Sequence, residues 1–199
     1  MDKKQEILRA AFELFSMRGY HLSLSDLARQ AGIKTPSLYG HFESKDQLLE
    51  QMIHEEIHRY YRYLDEKIGQ IDHLSCKASL KIIFLFVMEY FSENERLRFW
   101  RMIPLIPNER LKSTCTSMIT DHDHLYFQHM QKCFLKDISG GEIRARDSEN
   151  ALHLYLCMIQ GVLDAMLLYP NDLDKNDFAA GIFDTYWEGI CDVPIQDRK

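Results

Sequence analysis

The 199-residue sequence contains no long uninterrupted apolar stretch. Its longest apolar run, from Ile82 to Met88, is seven residues, whereas a membrane-spanning helix needs about 20. The amino-terminal residues become amphipathic at once and have no signal-peptide core. The five cysteines form no Cys-x-x-Cys pair, and there is no glycine-rich phosphate loop and no recognisable nucleophile setting. These absences predict a reduced, cytoplasmic protein with no membrane partner, no cofactor and no enzymatic activity.

Charge is unevenly distributed along the chain. The net charge is −6, with 46% apolar and 27% charged residues, which is ordinary globular composition. Residues 1–50 carry seven basic and seven acidic side chains, so the whole net charge belongs to residues 51–199. A neutral amino-terminal segment permits nucleic-acid binding if its cations gather on one face.

Apolar residues recur with helical spacing almost throughout, and no segment reads as a strand. Gly19 is suited to end the first helix, and Ser23 and Ser44 each open a capping box. Thr35 offers a capping hydroxyl before Pro36 at the first position of another helix. The sequence predicts an all-α protein of about nine helices, at about 3–18, 23–31, 35–42, 44–69, 75–92, 94–103, 108–136, 148–169 and 174–191.

Residues 23–42 have the pattern of a helix-turn-helix. Two short helices can cross closely because Ala28 is small and Gly32 can form the turn. Leu38 and Phe42 are spaced to face inward. Thr35, Ser37, Tyr39 and His41 then lie largely on other faces, where they are suited to bases and phosphates. From the pattern alone, the alternative is a three-helix module that binds protein instead of DNA.

The same region carries several motifs of one family. They are Ile-Leu-x-Ala-Ala-x-x-Leu-Phe at 7–15, Gly-Tyr at 19–20, Leu-Ala-x-x-Ala-Gly-Ile at 27–33, Ser-Leu-Tyr-x-His-Phe at 37–42, Ser-Lys at 44–45 and Leu-Leu at 48–49. Through them, residues 5–49 resemble the DNA-binding head of the tetracycline-repressor (TetR) family of bacterial transcription regulators. The rest of the chain fits that family only by length and number of helices.

The resemblance implies a helix-turn-helix head at 1–46 and an effector-binding and dimerisation body at 47–199. It implies a homodimer that represses transcription from a palindromic operator in double-stranded DNA and is released by a small, apolar or aromatic effector. The implied base-facing residues are Thr35, Pro36 and Ser37, the implied phosphate contacts are Tyr39, His41 and Lys45, and Ser25 and Lys34 are further contacts. Gly40 replaces a bulkier residue frequent in the family. Independently, Lys45 stands at the positive end of the long helix, which favours a phosphate.

Aromatic and methionine side chains in the body are candidates for the effector pocket, because soft and aromatic groups line sites for apolar ligands. The candidates are Tyr63, Phe84, Met88, Phe91, Trp100, Phe127, Met130, Phe134, Tyr155 and Met158. Helical spacing gives the same pattern for residues that only pack in a core, so core packing remains the alternative for each.

The last two helices carry more apolar surface than one core requires. Gly161 and Ala165 are one turn apart and would let another helix approach closely, so a four-helix dimer interface is predicted. Its predicted residues are Leu154, Gly161, Ala165, Leu168, Phe183 and Trp187. Packing within one protomer is the alternative.

Two histidine patterns lie outside this scheme. His54-Glu55-x-x-His58 matches the H-E-x-x-H signature of zinc proteases, although no third ligand segment accompanies it, and a hydrolase is the disfavoured alternative function. The second pattern is the run Asp121–His124. The sequence leaves open whether either histidine pattern binds a metal ion. It does not identify the effector, the operator, the regulated genes or the direction of regulation.

Overall fold

The structure is a computed structural model, and it describes residues 2–71, 73–139, 148–169 and 175–191. Within these ranges it has nine α-helices and no β-strand, which confirms the all-α prediction. The helices are α1 (Lys3–Arg18), α2 (Leu24–Gln30), α3 (Thr35–Leu38), α4 (Lys45–Ile68), α5 (Cys76–Tyr90), α6 (Asn94–Met102), α7 (Glu109–Ser139), α8 (Ser148–Leu168) and α9 (Lys175–Ile190).

The end of α3 differs from the prediction. The helix stops at Leu38 instead of about Phe42, and its cap is Lys34, with no side-chain hydrogen bond. Thr35 is therefore the first helical residue and not the cap. After Leu38 the amides of Tyr39 and Gly40 bond to carbonyls three residues back, at 3.2 Å each. Three-residue spacing is the tighter 3-10 pattern, and a glycine interior to a helix weakens it.

The chain forms two compact units. The first contains residues 1–62 and 93–122, and the second contains residues 63–92 and 123–199. α4 belongs to the first unit as far as Arg62, and α7 as far as His122. These units combine separate stretches of chain, whereas the predicted division at 46/47 follows chain order and remains a prediction.

The core of the first unit lies between α1 and the elements packed on it. Ile7 and Phe15 of α1 are fully buried, as are Leu27 of α2 and Phe99 of α6. At the end of α1, Gly19 has φ +57°, a backbone conformation that L side chains rarely adopt. A Cβ there would meet the Met102 sulfur at 3.3 Å. Glycine therefore ends α1 and allows the chain to pass close to α6.

The core of the second unit is aromatic. Phe84 of α5, Tyr155 of α8 and Phe183 of α9 are fully buried, with ring centroids 6.0–6.4 Å apart. Tyr155 donates its hydroxyl to the Leu80 carbonyl at 2.8 Å, and Tyr186 does the same to Ala151 at 2.8 Å. α5 is thus a central helix of the second unit.

Between Glu149 and Leu168, α8 is long and apolar enough to cross a membrane by length and composition, with a mean hydropathy of 1.6. Core helices of water-soluble proteins meet the same criterion. Only 39% of this segment is buried within the chain, so much of its apolar surface is left uncovered.

Candidate nucleic-acid interface

α2 begins at a serine cap. The Ser23 hydroxyl accepts hydrogen bonds from the amides of Ser25 and Asp26 at 3.2 and 3.4 Å, which confirms one half of the predicted capping box. The Asp26 carboxylate instead pairs with Arg18 at 2.6 Å and with Arg29. One carboxylate offsets one of these two positive charges, so the three side chains together keep a net charge of +1.

The turn between α2 and α3 is closed by Gly32, at φ +67°. The Ile33 amide reaches back to the Ala28 carbonyl at 2.9 Å, so the chain reverses within four residues. Behind the turn, Ala28, Leu38 and Phe42 are buried. The predicted inward-facing residues of the helix-turn-helix therefore do face inward, and they fix the orientation of α3.

The outer side of α3 is exposed. Tyr39 has 59% of its surface open to solvent, and Pro36, Ser37 and His41 are exposed as well. Of the other predicted DNA contacts, Ser25 and Lys34 are exposed, and Thr35 and Lys45 are half-buried. None of the eight predicted residues is buried, and they stand on the helix-turn-helix and at the start of α4.

Lys45 is the first residue of α4, and its position is built by the residues around it. The Ser44 hydroxyl accepts the Gln47 amide at 3.0 Å, while the Gln47 side chain accepts the Glu43 amide at 2.6 Å. The Lys45 ammonium lies 4.6 Å from the centre of the Tyr20 ring, a favourable cation–π contact. Burial lowers the pKa of Lys45, against the opposing effect of Asp46.

Asp46 connects three elements of the first unit. It accepts the Tyr20 hydroxyl at 2.8 Å and the Asn108 amide at 2.7 Å. The other side-chain atom of Asn108, its carbonyl oxygen, accepts the Leu111 amide at 3.1 Å and caps α7. The hydrogen bond to Asp46 raises the pKa of Tyr20. This Asp46 network therefore holds the start of α4 against both the helix-turn-helix region and the start of α7.

α6 is also bonded to α1 and α4. The Ser16 hydroxyl contacts the Glu95 carboxylate at 3.3 Å, and Phe12 and Phe99 have ring centroids 4.8 Å apart. Glu56 of α4 is only 1% exposed and pairs with Arg96 of α6 at 3.4 Å. A buried carboxylate needs such partners, because an unpaired buried charge is costly.

A polar-rimmed cavity of about 410 Å³ lies beside these contacts, with Leu8, Phe12 and Met52 among its lining residues.

One cation near α3 is absent from the predicted contacts. The Lys4 ammonium lies 5.4 Å from the centre of the Phe42 ring. Phe42 stands three residues before Lys45 in the sequence. Among the described ion pairs, none involves Lys4, Lys34 or Lys45. The only sequence signal for Lys4 is its place in the first turn of α1, which says nothing about α3. Lys4 lies close to Phe42 because α1 packs against the helix-turn-helix.

The predicted effector residues fall in different places. Nine lie in the second unit, but Trp100 lies in the first, where its aromatic neighbours are Tyr60 and Tyr61, at 5.1 and 6.5 Å. Six of the nine are buried, namely Phe84, Met88, Phe91, Met130, Phe134 and Tyr155.

Phe127 and Phe134 line a cavity of about 130 Å³ beside α8. Phe84 and Tyr155 instead fill the aromatic core. Half-buried Tyr63 donates to Glu89 at 2.9 Å, and burial with that contact raises its pKa to about 12; Met158 is half-buried too.

The predicted dimer residues divide between surface and core. On α8, Leu154 and Leu168 are 54% and 69% exposed, Gly161 is exposed and Ala165 is half-buried. The prediction for α9 needs correction, because Phe183 and Trp187 are 0% and 4% exposed and stack 6.3 Å apart inside the second unit. They present no surface to a partner.

The exposed side of α9 carries Gly181, Thr185 and Gly189. A Cβ at either glycine, or at Gly161 of α8, would meet nothing within 4 Å. The four-residue spacing of these small residues was the signal that could have indicated this face in the sequence.

The two histidine patterns behave differently. His54 and His58 share one side of α4, with their Nε2 atoms 3.0 Å apart. Burial, His54 and Arg62 lower the pKa of His58. In the other run, His122 stacks on Tyr61 at 4.2 Å, while His124 contacts Gln128 at 2.8 Å. Within the described ranges, no three His, Cys, Asp or Glu side chains are arranged to hold a metal ion.

Residues 7–52, which include α2, its turn and α3, match the family profile of "Bacterial regulatory proteins, tetR family". The amino-terminal segment of the chain is therefore similar to that family. Among the chain's relatives is IcaR of Staphylococcus aureus, the negative transcriptional regulator of the biofilm operon icaADBC. IcaR is 28% identical over 156 residues, which is 77% of this chain and 80% of IcaR.

Solved structures share the fold of this chain along nearly its whole length. FadR from Bacillus subtilis, solved in complex with stearoyl-CoA, has a TM-score of 0.73 at 18% identity and covers 94% of this chain and 98% of its own. The ketosteroid regulator KstR2 of Mycobacterium tuberculosis has a TM-score of 0.71 at 17% identity, with 96% of each chain covered. At these identities the likeness concerns the fold alone.

Proposed function

We propose that this chain is a TetR-family transcriptional repressor in the cytoplasm, which binds a palindromic operator as a homodimer and leaves it when a small apolar effector binds. The observation that carries the proposal is the arrangement of α3. Its outward side chains, Pro36, Ser37 and Tyr39, are exposed while Leu38 and Phe42 hold it from behind.

The contacts divide into two kinds. Thr35, Pro36 and Ser37 are short enough to let the helix enter a major groove and contact base edges. Tyr39, His41 and Lys45 surround α3 and are assigned to phosphates, with Ser25 and Lys34 at the margin. Lys4 is added here as a further phosphate contact, because its ammonium lies beside Phe42. Phosphate contacts supply affinity and position, whereas base contacts supply specificity.

Titration of DNA binding against salt tests this division. Lys45→Ala should weaken binding to every sequence and reduce the slope of log affinity against log salt by about 1. Ser37→Ala should instead change the ranking of operator variants. Lys112→Ala, which removes the same charge from α7 in the first unit, is the matched control and should bind like the unmodified chain. If Lys45→Ala and Lys112→Ala behave alike, the phosphate assignment is wrong.

A second copy of the chain is the proposed cover for the exposed side of α8 and α9. Leu154 and Leu168 leave apolar surface uncovered, and the small residues at 161, 181 and 189 leave room for a close helix approach. Two α8–α9 pairs would form a four-helix interface and set two α3 helices about one DNA turn, roughly 34 Å, apart.

Sedimentation of variants tests the dimer. Gly161→Arg should shift the chain toward monomer, because a long charged side chain would stand in the proposed contact. It should leave the folded protomer intact, since the site is open in the single chain. Asn150→Arg, an equal change at an exposed position in the first turn of α8, should remain dimeric. A dimer unaffected by Gly161→Arg would place the interface elsewhere.

The effector is proposed to be apolar because the second unit is rich in aromatic and methionine side chains. Two proteins that share the fold support this choice, since FadR was solved with stearoyl-CoA and KstR2 is named as a ketosteroid regulator. Phe127 and Phe134 are the candidate contacts that already line a cavity. A thermal-shift series of fatty acids, acyl-CoA esters and sterols tests this class. Ligands that raise the melting temperature should also release DNA, since an effector must favour one of two states.

A further inference from the structure

His54 and His58 form a converging pair of imidazoles that the proposed function does not use. They lie one turn apart on the exposed side of α4, and their Nε2 atoms are 3.0 Å apart. A nitrogen–nitrogen contact this short requires at least one nitrogen without a proton. The ring centroids are 4.2 Å apart and the rings are steeply inclined, so the two rings meet at their Nε2 edges.

The distance between the nitrogens is short enough for one metal ion to bind both. Imidazole nitrogen binds a divalent transition metal at about 2.0–2.1 Å. Two such nitrogens therefore lie about 2.9 Å apart in neighbouring corners of a square-planar or octahedral site, and about 3.3 Å apart in a tetrahedral one. The separation of 3.0 Å fits the first arrangement better. Square-planar and tetragonal nitrogen sites are typical of Cu²⁺ and Ni²⁺, whereas Zn²⁺ prefers tetrahedral ones.

We propose that His54 and His58 chelate one Cu²⁺ or Ni²⁺ ion through their two Nε2 atoms, with water in the remaining positions. Such a site uses the two histidines of the H-E-x-x-H pattern without its catalytic chemistry. It lies on α4 outside the proposed DNA contacts, so it stands or falls independently of the proposed repressor function.

The neighbouring groups limit the site to two protein ligands. The His122 ring lies 5.7 Å from the His58 ring, but it is stacked flat on Tyr61 at 4.2 Å and is held there. The Glu55 carboxylate is engaged by Gln51 at 3.1 Å. The positive charge of Arg62 acts on His58 and opposes a cation. Two ligands and an adjacent positive charge predict micromolar, not nanomolar, affinity.

Calorimetric titration of the untagged, chelator-treated full-length chain with CuCl₂, NiCl₂ and ZnCl₂ tests the site. Cu²⁺ should bind one ion per chain more tightly than Ni²⁺, and Zn²⁺ should bind at least tenfold more weakly than Cu²⁺. Electron paramagnetic resonance of the copper-loaded chain should show coupling to two nitrogen atoms. Zn²⁺ binding as tightly as Cu²⁺, or coupling to fewer than two nitrogens, would overturn the assigned geometry.

Matched variants identify the ligands. His54→Gln and His58→Gln should each weaken Cu²⁺ binding at least tenfold, and both positions are exposed, so the fold should survive, as circular dichroism can verify. His122→Phe keeps an aromatic ring on Tyr61 but removes the imidazole, and His73→Gln removes a distant exposed histidine. Both should bind copper within about twofold of the unmodified chain. Equal losses in His58→Gln and His122→Phe would refute the two-imidazole site.

Discussion

Each of the two compact units of this chain is held together internally, and the kind of contact differs between the units. In the first unit, several polar contacts connect the elements in addition to the apolar core, as at Asp46, at Glu56 with Arg96, and at Ser16 with Glu95. In the second unit, the connections around Phe84 and Phe183 are aromatic, and Lys81 with Asp184 is the described ion pair between its helices.

This difference matters because polar contacts are directional and aromatic packing is not. A hydrogen bond is lost when its partners move by about 1 Å, so the polar contacts fix where the start of α4, with Lys45, lies relative to Tyr20 and α7, and where α6 lies relative to α1 and α4. An apolar core requires mainly the right volume and tolerates repacking. A unit that positions side chains against DNA benefits from the first kind of contact, and a unit that admits an apolar effector benefits from the second.

The largest expected effect is in the aromatic core of the second unit. Phe183→Ala should lower the free energy of unfolding by about 3–5 kcal/mol, because it removes a fully buried ring and leaves a cavity. Leu125→Ala, at a position 62% exposed in the same unit, should change it by less than about 0.5 kcal/mol. Urea denaturation measures both. Similar midpoints for the two variants would mean that Phe183 is not part of a packed core.

A smaller effect is expected where the first unit depends on a polar contact. Asn108→Asp keeps the oxygen that caps α7 but sets a carboxylate against Asp46, so it should cost about 1–3 kcal/mol of stability and weaken operator binding.

Asn108→Ser is the matched control for that change. It keeps a capping oxygen for Leu111 and removes the amide donor without adding a charge. It should therefore lose less stability than Asn108→Asp. The reverse order would show that the cap, and not the contact with Asp46, holds α7 in place.

A side chain at Gly40 should change DNA binding without changing the unit that carries it. The backbone there is not in the left-handed region, and a Cβ would meet only the Ser37 carbonyl oxygen, at 3.4 Å. Gly40→Lys should raise operator affinity by about three- to tenfold through an added phosphate contact. Gly40→Ala, which fits equally well without a charge, should not. Fluorescence anisotropy at two salt concentrations separates these outcomes.

The smallest expected effect concerns a buried thiol of the first unit. Burial, with the nearby Glu50 carboxylate, raises the pKa of Cys115 to about 11. Above about pH 8.5 the unfolded chain loses this proton while the folded chain keeps it, so stability should fall as the pH rises toward 11. Cys115→Ala should flatten part of that fall in thermal melts taken between pH 8 and 11. Cys157→Ala, at an exposed cysteine, should leave the slope unchanged.

Local patterns predicted most of the helices and the helix-turn-helix. Gly19 and Gly32 stand at positive φ and Ser23 caps α2, because caps and turns depend on a few adjacent residues. The end of α3 was predicted four residues too late, since the apolar residue at 42 continues the helical spacing although the helix ends at Leu38 and the chain continues as a turn. Lys4 and Asp46 were missed as contributors to the interface, because their partners at 42, 20 and 108 are distant in sequence.

By itself, the sequence predicted the helical fold, the resemblance of residues 5–49 to the TetR family and the side chains that α3 presents, because each depends on spacing within a short segment. Only the tertiary structure decided which apolar residues are core and which are surface. Phe183 and Leu168 are equally apolar in sequence, yet one is fully buried and the other is 69% exposed. Burial is a property of what packs on a residue, and helical periodicity says which residues share a face but not which neighbour covers that face.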